Sequence, residues 1–253
     1  MRNNKNEPVE KIMIQKVFYS VYIWIIILLT VIFLSPLFIA IWLITFWFDK
    51  RLYVLNYFSI FWGSLYTKLI PWWDVRVVGK EKIKKDTTYI IIANHQSIED
   101  VIVMYRLGIP FRWVSKAEVF KIPVFGWLMH LKGDIKLLRT SKASIKKMII
   151  DGEKVLRLGC NMIIFPEGTR SKDGRLGNFK EGAFRLAQKT KRSVLPVIIS
   201  GTVPDILNRY GLFYGKHKVT LKVLDEIPYD KFCDLEVKDF ARKTRDIFEK
   251  ERI

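Results

Sequence analysis

A run of 32 residues without a charged side chain, Val17 to Phe48, limits what this chain can fold into more than any other stretch. As one helix at ~1.5 Å per residue it would be roughly 48 Å long, which exceeds the ~30 Å hydrocarbon core of a bilayer. Two full spans would need roughly 40 residues. The apolar region of a cleaved signal peptide covers only about 7–15 residues. The run therefore predicts a membrane-embedded segment.

Ser35–Pro36 lies near the centre of this run and suggests a break, because proline lacks the N–H that continues a helix. Two forms fit: one long kinked span, or two short helices that enter one leaflet and return. We favour the hairpin, since both flanks are basic and basic flanks stay cytoplasmic. The flanking cations are Lys11, Lys16, Lys50 and Arg51. This predicts attachment to the cytoplasmic face of a membrane.

Residues 53–73 are rich in Trp, Tyr and Phe, and such a stretch can lie at the headgroup level or pack on a soluble domain. After Pro71 the composition changes, and Asp74–Gly79 is typical of a first strand. We therefore predict an N-terminal membrane-anchoring helical region, residues 1–73, whose first 16 residues are a polar lead-in. Residues 74–253 alternate strand-like and helix-like segments, which predicts an α/β domain.

The stretch Asn94–Asp100 follows the apolar run 89–93 and precedes a helix-like stripe, a pattern typical of strand, turn and helix with Ser97 as N-cap. A turn between His95 and Asp100 allows their side chains to meet. The carboxylate then orients the imidazole and leaves its other nitrogen as a general base. The alternative is that Asp100 only completes a capping turn.

A second polar turn, residues 165–171, also follows a buried strand-like run. Gly168 permits close backbone approach, Thr169 offers a hydroxyl, and Arg170 offers a fork suited to phosphate. Glu167 can hold Arg170 or the turn itself. Lys116, just after a predicted strand, and Arg139, at the end of the stretch 133–139, are further cations whose role the residues alone leave open.

The formal net charge of +18 indicates a polyanionic partner, which can be nucleic acid, an anionic membrane or a phosphorylated substrate. Two cysteines, Cys160 and Cys233, form neither a metal framework nor a disulfide scaffold. A membrane-tethered nucleic-acid-binding protein is an alternative, but the sequence has no zinc-ligand spacing or RNA-binding aromatic signature, and its basic residues are dispersed.

Taken together and in order, four stretches resemble the conserved blocks of the glycerophospholipid acyltransferase family. They are NHQSIED at 94–100, GDIKLLR at 133–139, FPEGTRS at 165–171, and the apolar stretch Val194–Ile198 with Pro196 inside it. The resemblance runs from about residue 75 to 225. It implies a mixed, largely parallel sheet flanked by helices, with an N-terminal membrane-embedded helical hairpin. In one departure, Leu138 stands where relatives often carry a polar residue.

The resemblance also implies the reaction: transfer of a fatty acyl group from acyl-CoA or acyl-ACP to the sn-2 hydroxyl of lysophosphatidic acid, giving phosphatidic acid. His95 and Asp100 are then the catalytic dyad. The substrate-binding residues that it implies are Lys116, Arg139, Glu167, Gly168, Thr169 and Arg170. No metal or cofactor is expected beyond the thioester co-substrate, and the expected partners are lysophosphatidic acid, the acyl donor, anionic membrane lipid and acyl-carrier protein, with no nucleic acid.

Two alternatives remain within this class of enzyme. The acceptor can be another lysophospholipid, as in a remodelling acyltransferase. The acyl group can also pass through a covalent intermediate on Cys160 or Ser97 instead of moving directly to the acceptor.

Overall fold

The structure, a computed structural model, describes residues 9–171, 174–203, 213 and 216–252, with side chains from residue 14 onward. Residues 1–8 of the polar lead-in lie outside this range. The helices are α1 (Val9–Thr45), α2 (Tyr53–Leu69), α3 (Glu99–Val103), α4 (Phe125–Lys132), α5 (Lys142–Arg157), α6 (Gly182–Thr190) and α7 (Val237–Glu251). The strands are β1 (Trp73–Val78), β2 (Ile90–Ala93), β3 (Phe111–Lys116), β4 (Ile135–Leu137), β5 (Asn161–Ile164), β6 (Val194–Ser200) and β7 (His217–Val223).

The strands form one seven-stranded sheet in the order β1-β7-β6-β2-β5-β3-β4. Every neighbouring pair is parallel except β6 and β7, which are antiparallel. The prediction of a mixed, largely parallel sheet flanked by helices is therefore confirmed. The strands β6, β2, β5, β3 and β4 point the same way, so their carboxyl ends share one edge of the sheet.

The central strands are buried on both faces, as continuous apolar runs in parallel sheets require. In β2, Ile90 and Ile92 pack toward α5, α6 and α7, whereas Ile91 packs with α3 on the other face, and all three are fully buried. This alternation follows from the two-residue period of a strand. The sheet therefore gives the turns that follow β2 and β5 a rigid base.

The predicted break at Ser35–Pro36 is wrong, because α1 continues through it from Val9 to Thr45. Proline removes only one backbone hydrogen bond, and the Ser35 hydroxyl donates to the Val31 carbonyl at 2.6 Å. Beyond the proline, Phe38 packs edge-on against Phe58 and Trp62 of α2. A helical hairpin is present, but α1 and α2 together form it.

Residues 14–45 of α1 are long and apolar enough to cross a membrane. Much of the apolar surface of α1 is exposed, including Phe18, Phe33 and Ile44, each more than 60% exposed. In contrast, α2 packs on both α1 and α3. The aromatic stretch thus forms a layer between α1 and the sheet, which confirms that one face of α2 packs on the α/β domain. Tyr53, Tyr57 and Phe61 of α2 remain exposed, and their placement at the headgroup level stays a prediction.

Candidate active site

The turns after β2 and β5 lie side by side because these strands are parallel neighbours. Asn94 fixes the first turn to the next strand: its side-chain amide donates to the Ile199 carbonyl at 2.8 Å and accepts from the Ile199 N–H at 2.7 Å. The second turn contacts the first directly, since the Ser171 N–H donates to the His95 carbonyl at 2.8 Å. The two turns therefore form one polar surface at the carboxyl edge of the sheet.

His95 and Asp100 meet as predicted, with 2.8 Å between imidazole Nδ1 and carboxylate Oδ2. The same oxygen accepts from the backbone N–H groups of Gln96, at 2.6 Å, and Ser97, at 2.8 Å. Asp100 is fully buried, whereas the His95 side chain retains 13% of its exposure. The carboxylate thus both closes the turn and orients the ring, so the two interpretations of Asp100 are compatible.

The His95 ring is also held from its face. It stacks on the ring of Phe165 with 4.1 Å between centroids and 6° between planes, and Phe165 in turn stacks on Trp113. With Nδ1 donating to Asp100, Nε2 is left as the nitrogen with a free lone pair. No hydrogen bond to Nε2 is found among the residues that the structure describes. A hydroxyl group that reaches this partly open side of the ring would meet a base already in position.

Glu167 joins the two turns. Its Oε1 accepts from the His95 N–H and its Oε2 from the Gly177 N–H, each at 2.8 Å. Glu167 is 6% exposed, and this burial raises the pKa of its carboxyl, an effect that the two backbone donors partly offset. The sequence left open whether Glu167 holds Arg170 or the turn itself, and in the structure it holds the turns.

The rest of the second turn is exposed. Gly168 adopts a positive φ of 72°, and a Cβ there would lie 2.9 Å from the Lys180 ammonium, so this position favours glycine. Thr169 and Arg170 are exposed to solvent at the end of the turn. The Thr169 hydroxyl donates to the Arg170 carbonyl at 3.2 Å. Arg170 therefore lies on an exposed turn whose next residue, Ser171, contacts His95 through the backbone.

Lys116 and Arg139 are at the same edge but farther along it. Lys116 ends β3, and Arg139 follows β4, two and three strands from β2. At ~4.8 Å per strand, the end of β4 is roughly 14 Å from that of β2. Lys116 Nζ lies 3.5 Å from Glu118 Oε1, while burial lowers the pKa of Arg139 and the charge of Glu118 partly opposes this. The two cations do not contact the dyad, but they extend the cationic edge.

Sequence reasoning missed a second buried acid–histidine pair beside the dyad. Glu99 is fully buried, and its Oε2 lies 2.9 Å from Nδ1 of His217, the first residue of β7. Because β7 is antiparallel to β6, its first residue lies at the same edge as the turns. The pair connects the start of α3 to a distant strand. In the sequence, Glu99 is an ordinary acidic residue in the first turn of a helix, and no local pattern indicates a partner more than 100 residues away.

Cys160 and Ser97, the two residues considered as covalent nucleophiles, are both buried. Cys160 immediately precedes β5, at the edge opposite His95, where it is buried against the Arg51 carbonyl and burial raises the pKa of its thiol. Ser97 is fully buried, and its hydroxyl accepts from the Glu99 N–H at 3.1 Å. Neither side chain is presented to a substrate at the polar surface.

Replacing Glu167 by glutamine is expected to lower the melting temperature, because one of the two backbone N–H donors would face an amide NH₂. Leaving a buried donor unpaired costs about 1–3 kcal/mol. A raised pKa in the folded state means that this carboxyl contributes stability below its ordinary pKa of 4.5, and this contribution is lost as pH rises through the folded-state pKa. The difference from Glu167→Gln should therefore narrow above about pH 4.5. Thermal melts of both proteins across pH 4–8 measure this difference in melting temperature. A difference independent of pH would contradict a raised pKa for the Glu167 carboxyl.

A strand-edge histidine and carboxylate beside a second polar turn, on a largely parallel sheet, fits an acyltransferase. The family model described as Acyltransferase matches residues 74–200, and the chain belongs to this family.

Similar proteins include the 1-acyl-sn-glycerol-3-phosphate acyltransferase LPAT1 of Arabidopsis thaliana chloroplasts, 36% identical over 58% of this chain and 41% of that protein. The 1-acyl-sn-glycerol-3-phosphate acyltransferase of Saccharomyces cerevisiae is 35% identical over 71% of this chain and 60% of that protein. The chain thus spans about two-fifths to three-fifths of the length of these relatives. The crystal structure of the 1-acyl-sn-glycerophosphate acyltransferase PlsC from Thermotoga maritima matches with a TM-score of 0.74 and 26% identity, covering 95% of this chain and 98% of that one.

Proposed function

We propose that this chain transfers a fatty acyl group from an acyl thioester to the sn-2 hydroxyl of lysophosphatidic acid, giving phosphatidic acid. The observation that carries the proposal is the His95–Asp100 pair, with Nδ1 and Oδ2 at 2.8 Å, on a turn tied by Glu167 to the turn that ends in Arg170. The names of the relatives support this acceptor. The donor is acyl-CoA or acyl-ACP, and no cofactor is needed.

The reaction follows from the orientation of the imidazole. Nε2 of His95 takes the proton of the acceptor hydroxyl while that oxygen attacks the thioester carbonyl, and Asp100 stabilises the imidazolium. The tetrahedral intermediate collapses with cleavage of the C–S bond, and the leaving thiolate takes the proton back from Nε2. The substrate supplies the nucleophile, so no acylated side chain is required. Backbone N–H groups of the two turns are suited to stabilise the oxyanion.

The cations along the edge would hold the acceptor phosphate. Arg170 lies on the turn beside the dyad, and Lys116 and Arg139 extend the positive surface away from it. A phosphate fixed by these groups sets its distance from the sn-2 hydroxyl and so positions the attack. Apolar side chains exposed near this edge, Ile122, Phe125 and Trp127, would face the acyl layer. A site at the cytoplasmic membrane surface avoids exposing acyl chains to water, at ~0.8 kcal/mol per CH₂.

The direct test uses detergent-purified protein with lysophosphatidic acid and either acyl-CoA or acyl-ACP. Thiol release and phosphatidic acid should rise together, one for one, with at least one of the donors. Lysophosphatidylcholine in competition tests the remodelling alternative. Thiol release without phosphatidic acid, or preferential acylation of lysophosphatidylcholine, would contradict the proposed acceptor.

Arg170→Ala is expected to raise the KM for lysophosphatidic acid by about tenfold, with a smaller effect on kcat. One charge-assisted hydrogen bond to phosphate contributes roughly 1.5–3 kcal/mol, and each 1.4 kcal/mol is about a tenfold change. Arg185→Ala is the matched control, because Arg185 lies on α6 and pairs at the surface with Glu181. Initial rates over a range of acceptor concentrations separate the constants. An unchanged KM would show that Arg170 does not bind the acceptor.

A further inference from the structure

A cationic cavity lies away from the proposed active site, between α2, the end of β1 and the turn Met104–Leu107. Its volume is about 360 Å³, within the range of roughly 300–1,000 Å³ that is usual for small-molecule sites. Three of its lining residues are cations, Lys68, Lys80 and Arg106. Since β1 is antiparallel to β2, and Gly108 precedes β3, this cavity is at the edge of the sheet opposite His95.

The charge of this cavity is not neutralised within the part of the chain that the structure describes. There, the side chains of Lys68, Lys80 and Arg106 form no ion pair and no hydrogen bond, and Arg106 Nε is buried without an acceptor. The Lys80 ammonium lies over the backbone of Gly108, where an added Cβ would be 2.9 Å from Nζ. Three like charges around one cavity repel one another, so an anion that fills it gains from all three. A phosphate group matches this arrangement in charge and in its acceptor oxygens.

The side of the cavity formed by α2 indicates which class of phosphate-containing ligand fits. Tyr53, Tyr57, Phe61, Ser64 and Lys68 fall within about 80° of one another around the helix at 100° per residue. The first three side chains are 51%, 44% and 55% exposed, whereas Ser64 and Lys68 line the cavity. One stripe of α2 therefore runs from exposed aromatic surface directly to the cations. An anionic phospholipid is complementary to this arrangement, because its charged head would meet the cations and its apolar chains the aromatic surface.

We propose that this cavity binds the phosphate of an anionic membrane phospholipid, with its acyl chains along the Tyr53–Phe61 stripe of α2. The site is separate from acyl transfer and does not depend on the proposed function. It would fix the depth and rotation of the hairpin in the leaflet by a specific contact as well as by apolar burial. The bound lipid is a bilayer constituent, not the substrate at the opposite edge.

Lipid retention by the full chain in mild detergent tests the site, with native mass spectrometry counting bound molecules. The probes are phosphatidylglycerol and phosphatidylcholine, which share the phosphate but differ in net charge. We expect tighter binding of phosphatidylglycerol, and each of Lys80→Gln and Arg106→Gln to weaken it about tenfold. Lys146→Gln is the matched control, an exposed lysine on α5 across the sheet. Thermal melts establish that each variant is folded, and Lys68→Gln, at an exposed position, replaces any that is not.

Two further variants, Arg170→Ala and Phe61→Ser, distinguish this cavity from other places where the lipid could bind. Arg170→Ala should leave retention unchanged, because that residue belongs to the opposite edge; loss of binding there would place the lipid in the active-site region and overturn the proposal. Phe61→Ser should weaken phosphatidylglycerol binding through the apolar stripe. Equal retention of both lipids, or complete displacement by inorganic phosphate at low millimolar concentration, would show that no anionic lipid is selected.

Discussion

His95→Ala is expected to reduce acyl transfer by roughly 10²–10⁴-fold, the range that a positioned general base contributes. Of the two side chains of the dyad, only His95 is partly exposed, whereas Asp100 is fully buried. Alanine removes the base but leaves Glu167 bonded to the backbone N–H at position 95, so the turn should persist. The rate should be measured with saturating acceptor and donor, because the loss should lie in kcat.

His130→Ala is the matched control for this experiment. His130 lies on α4, where it packs against the ring of Phe120 and not against the dyad. Asp100→Asn is informative as a second variant, since it keeps the shape but weakens the stabilisation of the imidazolium. Near-normal turnover by His95→Ala, with the control equally active, would remove the proposed base and with it the direct-transfer mechanism.

Asp134→Ala is expected to cost about 3–5 kcal/mol of folding free energy, because it leaves a buried cation without its partner. Asp134 Oδ1 accepts from the Lys132 ammonium at 2.6 Å and from the Trp113 N–H at 2.8 Å. Both side chains of the ion pair are almost completely buried, at 5% and 2% exposure. Burial lowers the pKa of Lys132, and Asp134 opposes this, so removing the carboxylate favours a neutral amine.

Chemical denaturation monitored by tryptophan fluorescence measures this loss. Asp151→Ala is the control, since Asp151 pairs with Lys147 at the surface, where such a pair contributes about 0–1 kcal/mol. A double variant, Lys132→Met with Asp134→Leu, should recover much of the stability, because apolar replacement of a buried pair is often neutral. If Asp134→Ala costs no more than Asp151→Ala, the buried pair does not stabilise the connection between β3 and β4.

Much of the fold was predictable from periodicity and turn chemistry. Strand-like runs bounded by turn residues predicted the strands β1, β2, β3 and β5. The strand β4 was missed. It has only three residues, Ile135–Leu137, and its pairing with β3 cannot be read from so short a run.

The break predicted in α1 failed for a related reason. A local rule about proline does not include the packing of Phe38 on α2, which extends the helix past Pro36. Similarly, Lys132 and Asp134 are ordinary surface residues by type. They are buried against β3, where the Lys132 ammonium lies over the Phe111 ring and Asp134 accepts from the Trp113 N–H.

The sequence by itself determined the polar turns, their order and the long apolar segment near the N-terminus, because these depend on residue type and short spacing. Only the tertiary structure decided which groups meet. Parallel pairing of β2 and β5 brings Glu167 to the N–H of His95, and antiparallel pairing of β7 with β6 brings His217 to Glu99. Such contacts join residues tens to more than a hundred positions apart, and they exist because strand order fixes which carboxyl ends share an edge.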